Sequence, residues 1–156
     1  MQLCLFVLLA IGCNSSGISG LVRASGKVTL DGSPVGGVAI VFTPVPGSSS
    51  DRVASAVSSD DGTFVLDTIG NKGALPGSYV VTLSKSTTKS KITAEEEERL
   101  NTAGKPLPEP EIIYHIPWKY ERTDSGITVE IDKGGKTDIL IELKSDNTPP
   151  PVRSNI

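Results

Sequence analysis

Alternating apolar and polar residues run through most of the chain. In residues 26–44 (GKVTLDGSPVGGVAIVFTP), two runs with the two-residue period of a half-buried strand flank a connection rich in glycine and polar residues. The arrangement recurs downstream, with Asp-Gly and Gly-Gly turn signals between the runs. The pattern predicts strands at residues 27–30, 38–43, 53–58, 63–67, 78–84, 126–132 and 138–143, with the third and fourth paired as a β-hairpin.

One segment has helical features. Thr93 precedes Glu96 by three residues in the form of a capping box, Glu95 and Arg99 make an i,i+4 pair, and Gly104 is a stop signal. These features predict one short surface helix at about residues 94–102, after which residues 112–120 bring the chain back. Seven strand-like runs, regular turns and no parallel βαβ rhythm predict an all-β fold. We expect an antiparallel, seven-stranded immunoglobulin- or transthyretin-like β-sandwich.

Composition limits the core and the partners. Hydrophobic residues make up 37% of the 156 residues, enough for one core, but aromatic residues make up only 4%. Valine, isoleucine and leucine must therefore fill most of that core. The net charge is −3 and no basic block occurs. Nucleic-acid binding, which needs a concentrated positive surface, is not expected.

The N-terminus has the features of a targeting segment. Residues 3–12 (LCLFVLLAIG) are uninterruptedly apolar, too short for a membrane span of about 20 residues but long enough for a signal peptide. The boundary Gly12-Cys13 resembles the lipobox of bacterial lipoproteins, in which the cysteine is lipidated and becomes the first mature residue. The alternatives are an ordinary signal peptide or a buried apolar strand. We predict lipidation at Cys13 and an exported protein anchored in a membrane of the cell envelope, on the periplasmic or surface face.

These features divide the chain into four parts. Residues 1–12 are predicted to be a lipoprotein signal peptide, and residues 13–23, rich in serine and glycine, a flexible tether. Residues 24–144 form the predicted sandwich domain. Residues 145–156, with three consecutive prolines, are predicted to be a disordered tail.

Several motifs resemble a known family. Residues 26–38 (GKVTLDGSPVGGV), 61–64 (DGTF) and 75–79 (LPGSY) resemble the carboxypeptidase regulatory-like domain, a transthyretin-like sandwich of many bacterial envelope proteins. Residues 116–120 (IPWKY), 125–129 (SGITV) and 135–143 look like a variant found in small bacterial lipoproteins of unknown function. The resemblance implies a structural or binding accessory role and supplies no catalytic residue.

The chain has few of the residue types that catalytic sites and metal sites usually need. The chain has one histidine, His115, and the predicted mature domain has no thiol, whereas a zinc site usually takes three or four such ligands. A lone histidine also argues against the transthyretin-like ring-opening hydrolases, which use several, and against a nucleophilic triad. Residues 60–62 (DDG) read as a turn and not as a calcium loop. We expect no enzymatic activity, no metal and no cofactor.

Residues 114–120 (YHIPWKY) concentrate the only histidine, the only tryptophan and two of the three tyrosines. Tyr114, Trp118 and Tyr120 are candidate contacts for a glycan or a protein partner. The other interpretation, which we favour, is that they pack over the edge of the sandwich. The leading hypothesis is therefore a lipid-anchored, non-enzymatic sandwich with a structural or protein-interaction role at the bacterial cell envelope. The alternative is a glycan- or peptide-binding module that uses this segment.

Overall fold

Two β-sheets share one hydrophobic core in this protein. The structure is a computed structural model and describes residues 17–146. The predicted signal peptide, Cys13 and residues 147–156 lie outside the described residues. The elements are β1 (Ala24–Leu30), β2 (Ser33–Pro34), β3 (Ala39–Pro44), β4 (Ala54–Val57), β5 (Thr63–Val65), β6 (Asp67–Thr68), β7 (Asn71–Lys72), β8 (Gly77–Ser84), β9 (Ser86–Lys89), α1 (Ala94–Thr102), β10 (Glu111–Tyr114), a 3-10 helix (Trp118–Glu121), β11 (Thr128–Ile131) and β12 (Lys136–Leu143).

The sheet topology confirms the predicted all-β sandwich. One sheet has the antiparallel order β11-β8-β3-β4-β6-β7. In the other, β1 is central, with β12 on one side and both β2 and β5 on the other. The seven predicted strands are β1, β3, β4, β5, β8, β11 and β12. The described residues add three two-residue strands and a separate antiparallel ribbon formed by β9 and β10.

The predicted hairpin between β4 and β5 is wrong. The turn itself forms, because Gly62 N–H donates to the Ser59 carbonyl at 2.8 Å. However, β4 pairs with β3 and β6, whereas β5 pairs with β1 in the opposite sheet. Gly62 has a φ of +80°, and a Cβ there would lie 2.5 Å from the Val28 carbonyl oxygen. The glycine lets the turn approach β1 closely, so the chain crosses from one sheet to the other.

One strand pair is parallel, in contrast to the purely antiparallel arrangement that was expected. β1 runs alongside β12, with Lys27 opposite Leu140 and Leu30 opposite Leu143. Parallel neighbours need a long connection, and the rest of the domain supplies it. The pairing is close, since a Cβ at Gly26 would lie 2.0 Å from the Ile139 carbonyl oxygen. The register of the two strands also shifts between Ala24 and Gly26.

The core is built from inward-facing positions of both sheets. Three aromatic rings meet at its centre: Phe42 lies 5.9 Å from Tyr79, edge to face, and 6.3 Å from Phe64. The Tyr79 hydroxyl lies 2.6 Å from the Leu75 carbonyl oxygen and 2.7 Å from Ser50 Oγ, so its polar atom is satisfied. Burial raises the pKa of Tyr79. Aliphatic side chains fill most of the remaining core, as the composition predicted: Val28, Val38, Ile40, Leu66, Val81, Leu83, Ile116, Ile131, Ile139, Ile141 and Leu143.

The helix prediction is confirmed in position and setting. Thr93 is the N-cap, its side chain accepts from Glu96 N–H at 3.3 Å, and no helical residue is buried. The predicted pair of Glu95 with Arg99 is wrong. Arg99 instead lies 3.5 Å from Glu96, an i,i+3 neighbour on the same exposed face.

The parallel pair gives the sandwich two distinct ends. At the N-terminal end, residues 17–23 join the domain: Val22 bridges Ala74, and Lys136 N–H donates to the Arg23 carbonyl at 2.8 Å. Part of the predicted tether is therefore bound to the sandwich. β1 and β12 then run together to the opposite end, where Leu30 and Leu143 lie side by side. The seven residues of β1 separate the two ends by roughly 20 Å, at about 3.3 Å per residue.

We expect Gly26→Ala to destabilise the domain, because the new Cβ would overlap the backbone of β12. The free energy of unfolding should fall by about 1–3 kcal/mol or more, as measured by denaturant titration. Gly134→Ala is the matched control. A Cβ at Gly134 meets nothing within 4 Å, and its φ is outside the left-handed region. That variant should stay within about 0.5 kcal/mol of the wild type; equal stability of the two variants would contradict the close approach of β1 to β12.

Candidate functional site

A groove lies at the end of the sandwich opposite residues 17–23. We call it the end groove. It has a volume of about 350 Å³ and draws its lining from three separate parts of the chain: Leu30, Ile112, Tyr114, His115, Ile116, Pro117, Trp118, Ser145 and Asp146. A volume of this size is at the lower end of the range for small-molecule sites.

One wall comes from the β9–β10 ribbon. The two-residue period of β10 leaves Ile112 and Tyr114 half-buried against the groove, whereas Ile113 is exposed on the opposite face. His115 follows the strand, and its backbone N–H donates to the Lys85 carbonyl at 2.9 Å. Its Nε2 atom lies 3.0 Å from Thr87 Oγ1. The backbone bond ties the end of β10 to Lys85, which joins β8 to β9, and the side-chain contact links His115 to β9 within the ribbon.

The segment after β10 is anchored by two buried side chains. Ile116 enters the core, and Tyr120 is only 7% exposed. The Tyr120 hydroxyl accepts from Lys144 N–H at 2.8 Å and lies 3.2 Å from the Lys144 carbonyl oxygen. Tyr120 therefore ties the 3-10 helix to the end of β12 and does not line the groove. This placement fits the packing interpretation of that residue.

Trp118 is half-buried and lines the groove. The Arg122 guanidinium lies 5.8 Å from the centre of its ring, within cation–π range. Arg122 is in turn held by two bonds to the Asp124 carboxylate, at 2.6 and 2.8 Å. Hydrogen bonding in this pair raises the pKa of Arg122 and lowers that of Asp124. Both groups therefore stay charged at neutral pH, and the guanidinium is fixed beside the indole.

The facing wall follows β12. Ser145 donates its N–H to Asp31 Oδ1 at 3.1 Å, and its hydroxyl donates to Asp31 Oδ2. These bonds lower the pKa of Asp31. Asp146 lies 2.6 Å from Lys119 Nζ, and this contact raises the pKa of the Lys119 amine. Ser145 and Asp146, which were assigned to the predicted tail, are thus bonded to the domain.

The groove combines half-buried aromatic rings with hydrophilic groups. Tyr114 and Trp118 offer flat apolar surfaces, whereas Ser145 contributes a hydroxyl that donates to Asp31 and Asp146 a carboxylate that is paired with Lys119. Flat rings stack on the apolar faces of sugars and peptides, and polar groups at the rim orient such a ligand. The arrangement is therefore suited to binding.

Two of the three predicted contact residues line this groove. Tyr114 and Trp118 do, whereas Tyr120 does not. Sequence reasoning missed Leu30, Ile112, Ser145 and Asp146, which lie outside residues 114–120. More than 110 residues separate Leu30 from Ser145, and only the parallel pairing of β1 with β12 brings them together.

The other candidate chemistry has a structural explanation. Residues 60–62 form the predicted turn, in which Asp61 Oδ1 accepts from Thr63 N–H at 3.0 Å and from Thr63 Oγ1 at 2.7 Å. These bonds lower the pKa of Asp61.

Within residues 17–146, no group of three or more histidine, cysteine or acidic residues is arranged to hold a metal ion. No helix in that range is both long enough and apolar enough to cross a bilayer.

Comparison with known proteins gives no match: no family model, no curated protein and no solved structure is similar to this chain. The resemblance to the carboxypeptidase regulatory-like domain therefore stays a prediction.

The bond between Asp31 and Ser145 should break in acid. Because the folded pKa of Asp31 lies below its ordinary value near 3.8, the unfolded chain takes up this proton first. The stabilisation is complete above that ordinary value and is lost as the pH falls through the folded pKa. We expect the amide proton resonance of Ser145 to shift over that window in an NMR titration.

Asp31→Asn is the matched variant, because asparagine also tolerates the positive φ of +51° at this position but does not titrate. The acid shift of the Ser145 amide should be absent in it. An identical shift in both proteins would assign the transition to another group.

Proposed function

We propose that this protein is a lipid-anchored, non-enzymatic β-sandwich of the bacterial cell envelope, with a structural or protein-interaction role. The observation that carries the proposal is that the two ends of the domain differ. Residues 17–23, downstream of Cys13, join the sandwich at one end, and the end groove lies at the other, roughly 20 Å away along β1. A domain held to a bilayer by its N-terminus would present the groove away from that bilayer.

The anchor rests on residues 1–16. The apolar run that ends at Gly12-Cys13, followed by serine and glycine residues, supports lipidation and a short spacer. A diacylglyceryl group with an added N-acyl chain holds a protein far more firmly than one acyl chain does. Processing would leave the mature domain without a thiol, because Cys4 would be removed with the signal peptide. The domain would then rely on its hydrophobic core for stability.

The non-enzymatic part of the proposal is supported by the state of the titratable groups. A general acid or base works best with a pKa near the working pH. Hydrogen bonds within the fold lower the pKa values of three carboxyl groups, those of Asp31, Asp61 and Asp124. His115 bonds to a threonine hydroxyl on the ribbon. These groups stabilise turns and the ribbon.

The sandwich architecture also supports the proposed relationship to carboxypeptidase regulatory-like domains. Gly62, in the 61–64 motif, makes the turn that crosses between sheets. Tyr79, at the end of the 75–79 motif, is at the centre of the core. Under this proposal the motifs specify a scaffold, and the loops at the groove end carry the interaction.

Cys13→Ala should abolish fatty-acid labelling of the protein in growing bacterial cells and release it from the membrane fraction. The control is Ser16→Ala, which leaves the Gly12-Cys13 boundary intact and should be labelled like the wild type. Labelling of the Cys13→Ala protein at the wild-type level would exclude the lipid anchor.

A second function is favoured by the lining of the end groove. Tyr114 and Trp118 are two half-buried aromatic rings beside a hydroxyl and a carboxylate. This combination is suited to a glycan or a short extended peptide, for which the rings give stacking area and the polar groups give orientation. The envelope proposal and this binding function are compatible.

Trp118→Ala should weaken binding of any glycan or peptide captured on an array by at least about ten-fold, since stacking on an indole is worth roughly 1.4 kcal/mol or more. Ile113→Ala is the control, because Ile113 is exposed on the other face of β10. Its binding should be unchanged. Equal binding by the Trp118→Ala protein and the wild type would exclude the groove as the site.

A further inference from the structure

The turn between β6 and β7 holds an unusual residue. Ile69 has a φ of +51°, in the left-handed region, and its side chain is 72% exposed. A β-branched residue is disfavoured there by contact between its side chain and its own backbone, and asparagine, aspartate or glycine is the usual choice. Exposure means that the isoleucine gains no burial in return.

The surrounding bonds force this conformation. Gly70 N–H donates to Asp67 Oδ1 at 2.6 Å, and Asn71 Nδ2 donates to the Ile69 carbonyl at 3.0 Å. Thr68 Oγ1 donates to the Gly73 carbonyl at 2.9 Å. Strain of this kind persists only where neighbours over-determine the backbone, and it often accompanies function.

A second exposed apolar side chain lies at the same end of this sheet. Ser55 of β4 pairs with Asp67 of β6 in antiparallel register, so Val53, two residues before Ser55, and Ile69, two residues after Asp67, both lie at this end of the two strands. Val53 is 48% exposed. We call this pair the Ile69 tip. Both side chains are exposed, and the exposed Lys72 of β7 pairs with Asp67 of the same hairpin.

The Ile69 tip lies at the N-terminal end of the sandwich. Gly73 follows β7, and a Cβ there would lie 2.4 Å from the Val22 carbonyl oxygen, so the hairpin touches the segment through which the chain joins the domain. Gly20 lies close to the residues that follow this hairpin, since a Cβ at Gly20 would lie 3.6 Å from the Leu75 side chain. From Cys13 to Gly20 the chain reaches at most about 25 Å, at roughly 3.6 Å per residue. A lipid on Cys13 would therefore hold the Ile69 tip near the bilayer.

We propose that the Ile69 tip inserts into the lipid surface to which the protein is anchored and fixes the orientation of the sandwich on it. The inference rests on the proposed lipid anchor. Ile69 and Val53 would enter the boundary between headgroups and acyl chains, and the Lys72 amine would stay among the headgroups. The end groove would then point away from the membrane.

The test supplies the tether chemically, so that it does not depend on processing in cells. The chain from Cys13 onward, which keeps every described residue, is coupled through the Cys13 sulfur to a maleimide lipid in phosphatidylcholine–phosphatidylglycerol vesicles. Hydrogen exchange is then measured on peptides that cover residues 66–72, with and without vesicles. We expect the amides of residues 69–72 to exchange at least about ten-fold more slowly on the vesicles, whereas those of residues 112–118 should be unaffected.

Ile69→Asn separates this role from a structural one. Asparagine tolerates the left-handed region, so the variant should melt at a temperature equal to or above that of the wild type. It should nevertheless lose the protection on vesicles. Ile69→Leu, which stays apolar, should keep it. Val57→Asn, which removes an exposed apolar side chain at the groove end of β4, should also keep it.

The outcomes divide clearly. Equal exchange on and off the vesicles in the wild type, or equal protection in Ile69→Asn, would overturn the proposal. A lower melting temperature for Ile69→Asn would assign the residue a packing role and also overturn it. Failure of fatty-acid labelling in cells would remove the lipid anchor, yet it would leave the result on chemically tethered protein unchanged, so the two failures are distinguishable.

Discussion

The parallel contact between β1 and β12 is the constraint on which the rest of the domain depends. β1 pairs with β12 along one edge and with β2 and β5 along the other, so it joins the first and last strands to the middle of the chain. The close approach requires a glycine at position 26, because a side chain would overlap the carbonyl of Ile139. Without this contact β12 would lose the strand it pairs with, and the second sheet would lose one side.

The same contact makes the two ends of the domain different from each other. Because β1 and β12 run in one direction, Arg23 and Lys136 meet at one end, and Leu30 and Leu143 meet at the other. Asp31 and Ser145 then bond just beyond the second pair, where they stabilise one wall of the end groove. In an antiparallel pair these groups would lie at opposite ends. The separation of the N-terminal segment from the groove therefore follows from strand direction.

The sequence predicted what depends on local pattern and missed what depends on pairing. Alternation identified the strands and the inward faces of residues such as Tyr79 and Ile141, and the capping residue Thr93 located the helix. The pairing of β5 with β1 was missed, because it depends on how closely the turn at Gly62 approaches β1. The parallel pairing of β1 with β12 was missed as well, because two strands more than 100 residues apart leave no local signal in the sequence.

The candidate site illustrates the same limit. The cluster of aromatic residues drew attention to residues 114–120, but composition alone does not separate a ring that packs from one that lines a groove. Tyr120 is buried because its hydroxyl reaches the backbone of Lys144, whereas Trp118, two residues earlier, faces the groove. The difference arises from the 3-10 helix, in which residues two apart point in different directions.

Two non-glycine residues in the described part of the chain have a positive φ, and they lie at opposite ends of the sandwich. Aspartate tolerates that conformation, and the Asp31 carboxylate accepts a hydrogen bond from Ser145 N–H in one wall of the groove. Ile69 suits it poorly, and its side chain makes no compensating burial within the domain. Backbone strain at an exposed residue often accompanies function. In the proposed orientation Ile69 would meet the lipid surface nearest the N-terminal segment, and the groove would face the other way.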